Sequence, residues 1–369
     1  MKITEINPIK LRFFPKNPPR DGLAGIASRD VFLVEVKTDG GITGIGEGFA
    51  LGMMDTLETL TLETLAPLLI GRNPAMIEEL WESMYQNTSR YGRRGIMMAA
   101  ISAIDIALWD IMGKVTGMPV YKLLGAAKTS LLPYASAGYY MEGKGIHELK
   151  QEFKHYKELG FKVMKMKVGG TSIKEDINRI RAVRDELGDD TELAIDANNA
   201  WDYKTALKMA RICEQENIMF LEEPLSSDFI QDSIRLVHNT DVPIAGYETN
   251  LTRFGMRDFI AQDAVDYVQV DAIWSGGITE AKRVGILAGI YNKKVIPHFS
   301  AGMVSLAANL SFGMALPNVD LMEYTLDENP LRSELCTNAI VMHNGVVKVF
   351  EKPGLGIDLN WETVERYRI

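Results

Sequence analysis

Apolar and polar residues alternate along the first fifty residues of the chain, and then the period changes. Ile3 to Leu11 alternates, Asp30 to Lys37 alternates again, and Ile42-Thr-Gly-Ile-Gly-Glu47 returns after Thr38-Asp-Gly-Gly41. Residues two apart share a strand face, and Asp-Gly between such runs signals a hairpin turn. Residues 1–50 therefore read as antiparallel β, interrupted by a basic, three-proline loop from Phe13 to Gly22. A Gly- and Met-rich loop runs from Gly48 to Met54. Thr56–Leu69 and Met76–Tyr85 then carry apolar residues at helical spacing, with Gly71-Arg-Asn-Pro74 as the break. Gly95–Lys114 is apolar nearly all round, which predicts a buried helix. Asp105 and Asp110 within it read as structural, hydrogen-bonded groups. Strands followed by packed helices predict an α+β domain over residues 1–125.

From about residue 130, short β-branched runs alternate with longer amphipathic ones such as Ile173–Leu187 and Tyr203–Asn217. The strand candidates are Leu131–Ala137, Phe161–Val168, Glu192–Ala197, Ile218–Glu222, Val242–Glu248, Asp266–Asp271, Lys294–His298 and Asp320–Tyr324. Eight strands with crossover helices predict a closed parallel β/α barrel over residues 126–340. An open doubly wound sheet is the alternative, but no G-x-G-x-x-G follows the first of these strands. The tail, residues 341–369, is expected to pack back on the N-terminal domain.

Composition narrows the function. At 369 residues two domains are expected. Apolar residues make up 46% and charged ones 24%, ordinary values for a globular protein. A net charge of −9 and a pI near 5.3 argue against nucleic acid or an anionic membrane as partner. The chain opens directly on a strand without a signal peptide, and no apolar run of bilayer length is expected. Cys213 and Cys336 read as free core thiols, which points to a reducing cytoplasm. The 19 methionines read as core filler.

The candidate chemistry sits at the ends of the predicted barrel strands. Lys165 and Lys167 lie two apart, so both face the same side of one strand. Either they form a solvated strand end or anions meet them. Asp196, Glu222, Glu248, Asp271, His298 and Glu323 then close the next six strands, at intervals of about 25 residues. One acidic residue after a strand is commonly a helix N-cap, but capping does not account for a titratable group on strand after strand. Asp196, Glu222 and Glu248 on adjacent strands would converge as oxygen donors for a hard cation, Mg²⁺ ahead of Mn²⁺ or Ca²⁺. Asp271 beside His298 would orient the imidazole and raise its basicity. Lys167 and His298 would approach from opposite sides.

With these residues the whole chain resembles the enolase superfamily, and within it the mandelate racemase subgroup. Lys165-Met-Lys167 matches its Lys-x-Lys motif, Asp196-Ala-Asn198 its Asp-x-Asn, and Glu222-Glu223-Pro224 its Glu-Glu-Pro. Glu248 matches the third ligand, Asp271 and His298 the dyad, and Glu323 the acidic group of the last strand. The resemblance implies a capping domain, residues 1–125 plus the tail, on a modified TIM barrel, (β/α)7β. It implies one Mg²⁺ per subunit, with Mn²⁺ a possible substitute, and a homo-oligomer between dimer and octamer. Asp271-Ala-Ile-Trp274 lacks the sixth-strand lysine of the muconate-lactonizing and dipeptide-epimerase relatives. Tyr247 stands where the family commonly has glycine before the third ligand.

The implied mechanism has Mg²⁺ and Glu323 holding a substrate carboxylate, Lys167 or His298 removing the proton beside it, and the cation and Lys165 holding the enediolate. Like-charge repulsion from Lys165 is expected to depress the Lys167 pKa. Arg12, Lys16 and Arg20 in the capping loop, with Tyr139 and Asn198, suit a polyol with a distal anion. The expectation is an acid-sugar dehydratase acting on an aldonate or aldarate. A racemase or epimerase of a 2-hydroxy acid or related carboxylate is the alternative, and a non-catalytic carboxylate- or metal-binding protein is the alternative of another class.

Overall fold

The computed structural model describes residues 1–369. The first three strands, β1 (Ile3–Phe13), β2 (Arg29–Thr38) and β3 (Thr43–Gly48), form an antiparallel sheet in that order. The Ile96–Thr116 helix lies across it. A Cβ on Gly44, Gly46 or Gly48 would fall within 2.5 Å of the carbonyl oxygens of Ala107, Ala103 and Ala99 respectively. Glycines on one strand face and alanines four apart on the helix therefore let the two backbones touch. Glu47 lies between those glycines and points the other way, towards the barrel. The helix is long and apolar enough to cross a bilayer, contrary to the expectation from sequence, but 83% of its apolar stretch is buried. Gly117 ends it in the left-handed conformation, φ 69°.

Eight parallel strands follow: β4 (Leu132–Ala137), β5 (Val163–Lys167), β6 (Glu192–Asp196), β7 (Leu221–Glu222), β8 (Ile244–Gly246), β9 (Tyr267–Val270), β10 (Lys294–Pro297) and β11 (Leu321–Thr325). Their order is β10-β9-β8-β7-β6-β5-β4-β11. The gap between β10 and β11 is spanned by a parallel bridge from Val295 to Val319, so the barrel is nearly closed. The strands are shorter than expected, and Glu248, Asp271 and His298 lie just beyond their ends. Asp196 and Glu222 are the last residues of theirs, and Glu323 is within β11. The predicted Thr56–Leu69 helix exists as two α segments joined by a π-helical turn, Leu60–Leu65.

Buried aspartates tie the two parts together. Asp105 accepts hydrogen bonds from Thr279 N (3.0 Å) and Thr279 Oγ1 (2.6 Å), and Asp110 accepts from Ile45 N and Leu355 N. The tail returns to β1 through an Arg368–Leu11 bridge and an edge contact of Tyr367 on Phe13. It also touches the start of the barrel, where Val347 bridges Leu131. Cys213 and Cys336 are buried and unbridged.

Candidate active site

Barrel packing fills the lower interior with Tyr134, Val163, Ala194, Phe220 and Ala245. Above this layer the strand ends turn polar. Lys165 is completely buried, and its ammonium contacts Glu222 Oε1 (2.5 Å), Glu323 Oε1 (2.8 Å) and Asp196 Oδ2 (3.3 Å). It also lies over the Tyr134 ring, 5.3 Å from the centroid. Lys167 contacts Asp196 Oδ2 at 2.5 Å. Of the two readings of this strand, the structure shows the one in which anions meet both lysines.

Burial disfavours both ammonium ions, but the carboxylates outweigh it. Glu222 and Glu323 hold the Lys165 pKa well above the ordinary lysine value, and Asp196 raises that of Lys167. This corrects the expectation that Lys165 depresses its neighbour: the repulsion exists, but the Asp196 attraction is larger.

His298 Nδ1 is 2.9 Å from Asp271 Oδ2. Its Nε2 lies 3.7 Å from both Glu248 Oε1 and Glu323 Oε2. Burial lowers the imidazole pKa, but Glu323, Glu248 and Asp271 together lift it to about 10, so the ring is a proton donor in this arrangement. Burial raises the Glu323 pKa, but Lys165 and His298 reverse this and hold the carboxyl down at about 2. Asp271 is itself positioned, since its Oδ1 accepts from Asn309 Nδ2 (2.8 Å) and Ile273 N (3.1 Å). Asn309 Oδ1 in turn accepts from Ala272 N (2.9 Å).

As the side chains stand, no three His, Cys, Asp or Glu groups close on a common point at ligand distance. Asp196 and Glu222 are turned onto the lysines instead. The donor set nevertheless fits a hard cation. Glu222 Oε2 and Glu248 Oε2 are buried without a hydrogen-bond partner. Burial, then repulsion from Asp196, pushes the Glu222 carboxyl well up, with Lys165 opposing, and burial with Glu248 does the same to Glu223. Oxygen atoms that are buried, unpaired and mutually repelling are what a divalent cation neutralises. Asp196, Glu222 and Glu248 would hold it.

Beside these groups lies a cavity of about 410 Å³ roofed by the capping domain; Lys165, Asp196, Glu222 and Asp271 are outside its lining. Lys167, His298, Glu248, Glu323, Asn198 and Tyr139 all line it. The basic loop residues do not, contrary to expectation. Arg12 lies directly across the β1–β2 ladder from Asp30 and grips it twice, at 2.7 and 2.8 Å. Lys16 is exposed and only its backbone N–H contacts Glu328. Arg20 stacks over Tyr140, 4.8 Å from the ring centroid, beside a separate cavity. The roof is made instead by residues missed from the sequence: Asp21 of the capping loop, Arg29 and Asp30 at the start of β2, Glu47 of β3, and Phe49 stacked 3.8 Å from Trp274. Gly22 seats this loop, because a Cβ there would lie 2.6 Å from the carbonyl oxygens of Val168 and Ala197. Glu223 and Asn199 also line the cavity, joined by a 2.7 Å hydrogen bond. Glu223, Asn198 and Asn199 have φ of 39°, 44° and 62°. Left-handed non-glycine residues of this kind cluster at functional sites.

Comparison with known proteins agrees with this geometry. Residues 13–125 match the mandelate racemase / muconate lactonizing enzyme N-terminal domain family, and residues 148–363 the enolase C-terminal domain-like family. The chain is 41% identical to arabinonate dehydratase of Saccharolobus solfataricus, over 99% of both chains. It is 32% identical to L-talarate/galactarate dehydratase of Salmonella typhimurium, over 89% of this chain and 80% of that one. Among solved structures, the 3,6-anhydro-D-galactonate cycloisomerase of Zobellia galactanivorans superposes with a TM-score of 0.91 at 34% identity, covering 100% of both chains. A racemase of Streptomyces coelicolor with bound magnesium superposes with a TM-score of 0.92 at 25% identity, covering 100% of both chains. With the barrel, its capping domain and the strand-end residues in place, the chain belongs to the enolase superfamily, in the mandelate racemase subgroup.

Proposed function

We propose that this protein is an acid-sugar dehydratase that removes the proton beside a carboxylate and expels the hydroxyl on the next carbon as water. The observation that carries the reading is that Lys167 and His298, from strands on different sides of the barrel, line one cavity together with Glu323. A divalent cation on Asp196, Glu222 and Glu248, Mg²⁺ by the hardness of the donors, would supply the charge that makes the carbon acid.

The chain's own groups account for the rest. Lys165 lies beneath the substrate carboxylate, and Glu323, which must take up a proton as this second carboxylate approaches, donates to one of its oxygens. The C2 proton passes to the Lys167 amine, once that lysine is released from Asp196 and deprotonated. His298, held by Asp271 and protonated, gives its Nε2 proton to the C3 hydroxyl. The C3–O bond breaks with the electron pair leaving on water, and the resulting enol becomes a 2-keto-3-deoxy acid. Similarity to two acid-sugar dehydratases supports elimination over proton return.

The test is an NMR screen of acid sugars with Mg²⁺ in D₂O. Formation of a 2-keto-3-deoxy acid is expected, with turnover lost in folded Lys167→Ala and His298→Ala. Exchange at C2 without loss of water would make the protein a racemase or epimerase instead.

A further inference from the structure

We infer that Glu47 of the capping domain is a positioning residue for the catalytic acid, holding His298 and Asp271 in place through the loops that carry them. This deepens the dehydratase reading and relies on it for the role of His298 as proton donor to the leaving hydroxyl.

Glu47 is completely buried, and both of its oxygens are engaged by backbone of the barrel. Oε1 accepts from Gly302 N at 2.8 Å and Oε2 from Ser305 N at 2.7 Å. Gly302 is the N-cap of the Met303–Met314 helix. A carboxylate from the other domain therefore closes that helix's N-terminus, where unpaired N–H groups and the helix dipole both favour an anion. The fit is close. Gly302 has an ordinary φ of −82°, but a Cβ there would lie 2.8 and 2.9 Å from the two Glu47 oxygens. His298 stands four residues before Gly302. The loop between them is held at its start by His298 N on Val270 O (3.0 Å), then by Thr325 Oγ1 on Phe299 O, and at its end by Glu47.

The same helix reaches the other half of the dyad. Asn309 Nδ2 donates to Ser305 Oγ at 3.3 Å and to Asp271 Oδ1 at 2.8 Å. Contacts therefore run from Glu47 through Ser305 and Asn309 to Asp271, and from there to His298. Two residues beyond Glu47 the capping domain also holds the Asp271 loop directly. Phe49 N donates to Ile273 O at 2.9 Å, and the Phe49 ring stacks on Trp274. Ile273 N in turn donates to Asp271 Oδ1 at 3.1 Å. Lys165 and Lys167 are held differently, by Asp196, Glu222 and Glu323 of the barrel itself. The acid thus depends on how the end of β3 is seated, and the base on the barrel's own carboxylates.

The experiment follows a productive acid sugar with Mg²⁺ in D₂O, reading by NMR both the 2-keto-3-deoxy acid and deuterium at C2 of recovered substrate. Burial pushes the Glu47 carboxyl up to about 7, against its two N–H partners, so the assay runs at about pH 8, where the ionised group accepts both bonds. A misplaced acid slows breakage of the C3–O bond but leaves Lys167 able to take the C2 proton and return a deuteron. Glu47→Gln sets an amide N–H against a backbone N–H, and Gly302→Ala displaces the carboxylate from the barrel side. Each should raise the ratio of C2 exchange to dehydration at least about tenfold, with KM within about threefold. Phe49→Leu, on a half-buried side chain, should raise the ratio through the Asp271 loop and serves if neither buried variant folds. A ratio at the parent value in every folded variant would overturn the inference and leave the dehydratase reading intact. So would a higher KM with the ratio unchanged, which would place Glu47 on the substrate instead. A parent enzyme that dehydrates no acid sugar would sink the dehydratase reading and the role of Glu47 with it.

Discussion

Replacing Asn309 with alanine should slow catalysis without touching any group that meets the substrate. Asn309 is fully buried on the Met303–Met314 helix and links Asp271 to Ala272, donating to Asp271 Oδ1 at 2.8 Å and accepting from Ala272 N at 2.9 Å, with a longer bond to Ser305 Oγ at 3.3 Å. Truncation leaves the Ala272 N–H unpaired in the interior, which costs roughly 1–3 kcal/mol. A small cavity adds to this, so a folded but less stable enzyme is expected. The catalytic effect follows from Asp271. It keeps Ile273 N on Oδ1 at 3.1 Å and His298 on Oδ2 at 2.9 Å, but it loses the contact that fixes its rotation. The imidazole then samples positions of the order of 1 Å from the productive one, and a misplacement of that size can cost about 100-fold in rate. Expected is a kcat decrease between about tenfold and 100-fold with KM within about threefold, since ground-state binding groups are unchanged. Steady-state kinetics on a productive acid sugar at two pH values reads this. Asn309→Asp provides the comparison: it keeps the acceptor for Ala272 but removes the donor and sets a second carboxylate against Asp271. It should therefore be at least as slow as the alanine variant. A folded Asn309→Ala enzyme with kcat within twofold of the parent would refute the positioning role.

Two further outcomes are expected. Thermal melts should rise by several degrees when Mg²⁺ is added to EDTA-treated protein, because a ligand at 100 times its Kd stabilises by about 2.7 kcal/mol. Glu222→Gln should reduce that shift, and identical melts with and without Mg²⁺ would remove the cation from the site. For Asp105, burial outweighs the Thr279 hydrogen bonds and raises the folded-state pKa from 3.8 to about 7. The folded chain therefore holds this proton more tightly than the unfolded one, and stability falls as pH rises through that window, by up to about 4 kcal/mol at 1.36 kcal/mol per unit. Asp105→Asn should gain stability relative to the parent between pH 6 and pH 7 and gain little more above pH 7, as measured by urea unfolding. A difference that shrinks with rising pH would contradict the burial argument.

The barrel was legible because a parallel strand buried on both faces writes itself as a short apolar run, and here seven of the eight end at a titratable group. The Ile173–Leu187 helix begins and ends where its period predicts, and Ser172 caps it by accepting from Glu175 N. The π-helical turn at Leu60–Leu65 was not legible, since it changes backbone pairing without changing the apolar period. The capping loop was misread for a related reason. Whether Arg12 faces ligand or protein depends on the β1–β2 register, which places it opposite Asp30. No tight turn sets that register, because some fifteen loop residues intervene. Glu47 could have been found. Gly44, Gly46 and Gly48 alternate with larger residues, and the face opposite a glycine stripe is the one that can reach into a site.

The error over Lys167 has the most instructive cause. Considered as a pair on one strand, Lys165 and Lys167 repel, and the expected result is a depressed pKa. The barrel mouth contains more than the pair. Asp196, Glu222, Glu223, Glu248, Asp271 and Glu323 are all buried there, against Lys165, Lys167 and His298 as the bases. With six acids to three bases, the excess negative charge raises every base and pushes Glu222 and Glu223 towards their neutral forms. Burial first, then this imbalance, explains the directions at Glu222 and Glu223, and at Lys165, Lys167 and His298 the imbalance outweighs burial. The same imbalance is what a divalent cation on Asp196, Glu222 and Glu248 would correct. Neutralising Asp196 removes the largest attraction that holds the Lys167 proton, leaving burial and the Lys165 charge to lower its pKa. On this argument the cation would have two effects, acidifying the substrate and freeing the base, and the repulsion inferred from the sequence would govern Lys167 only once the carboxylates are occupied.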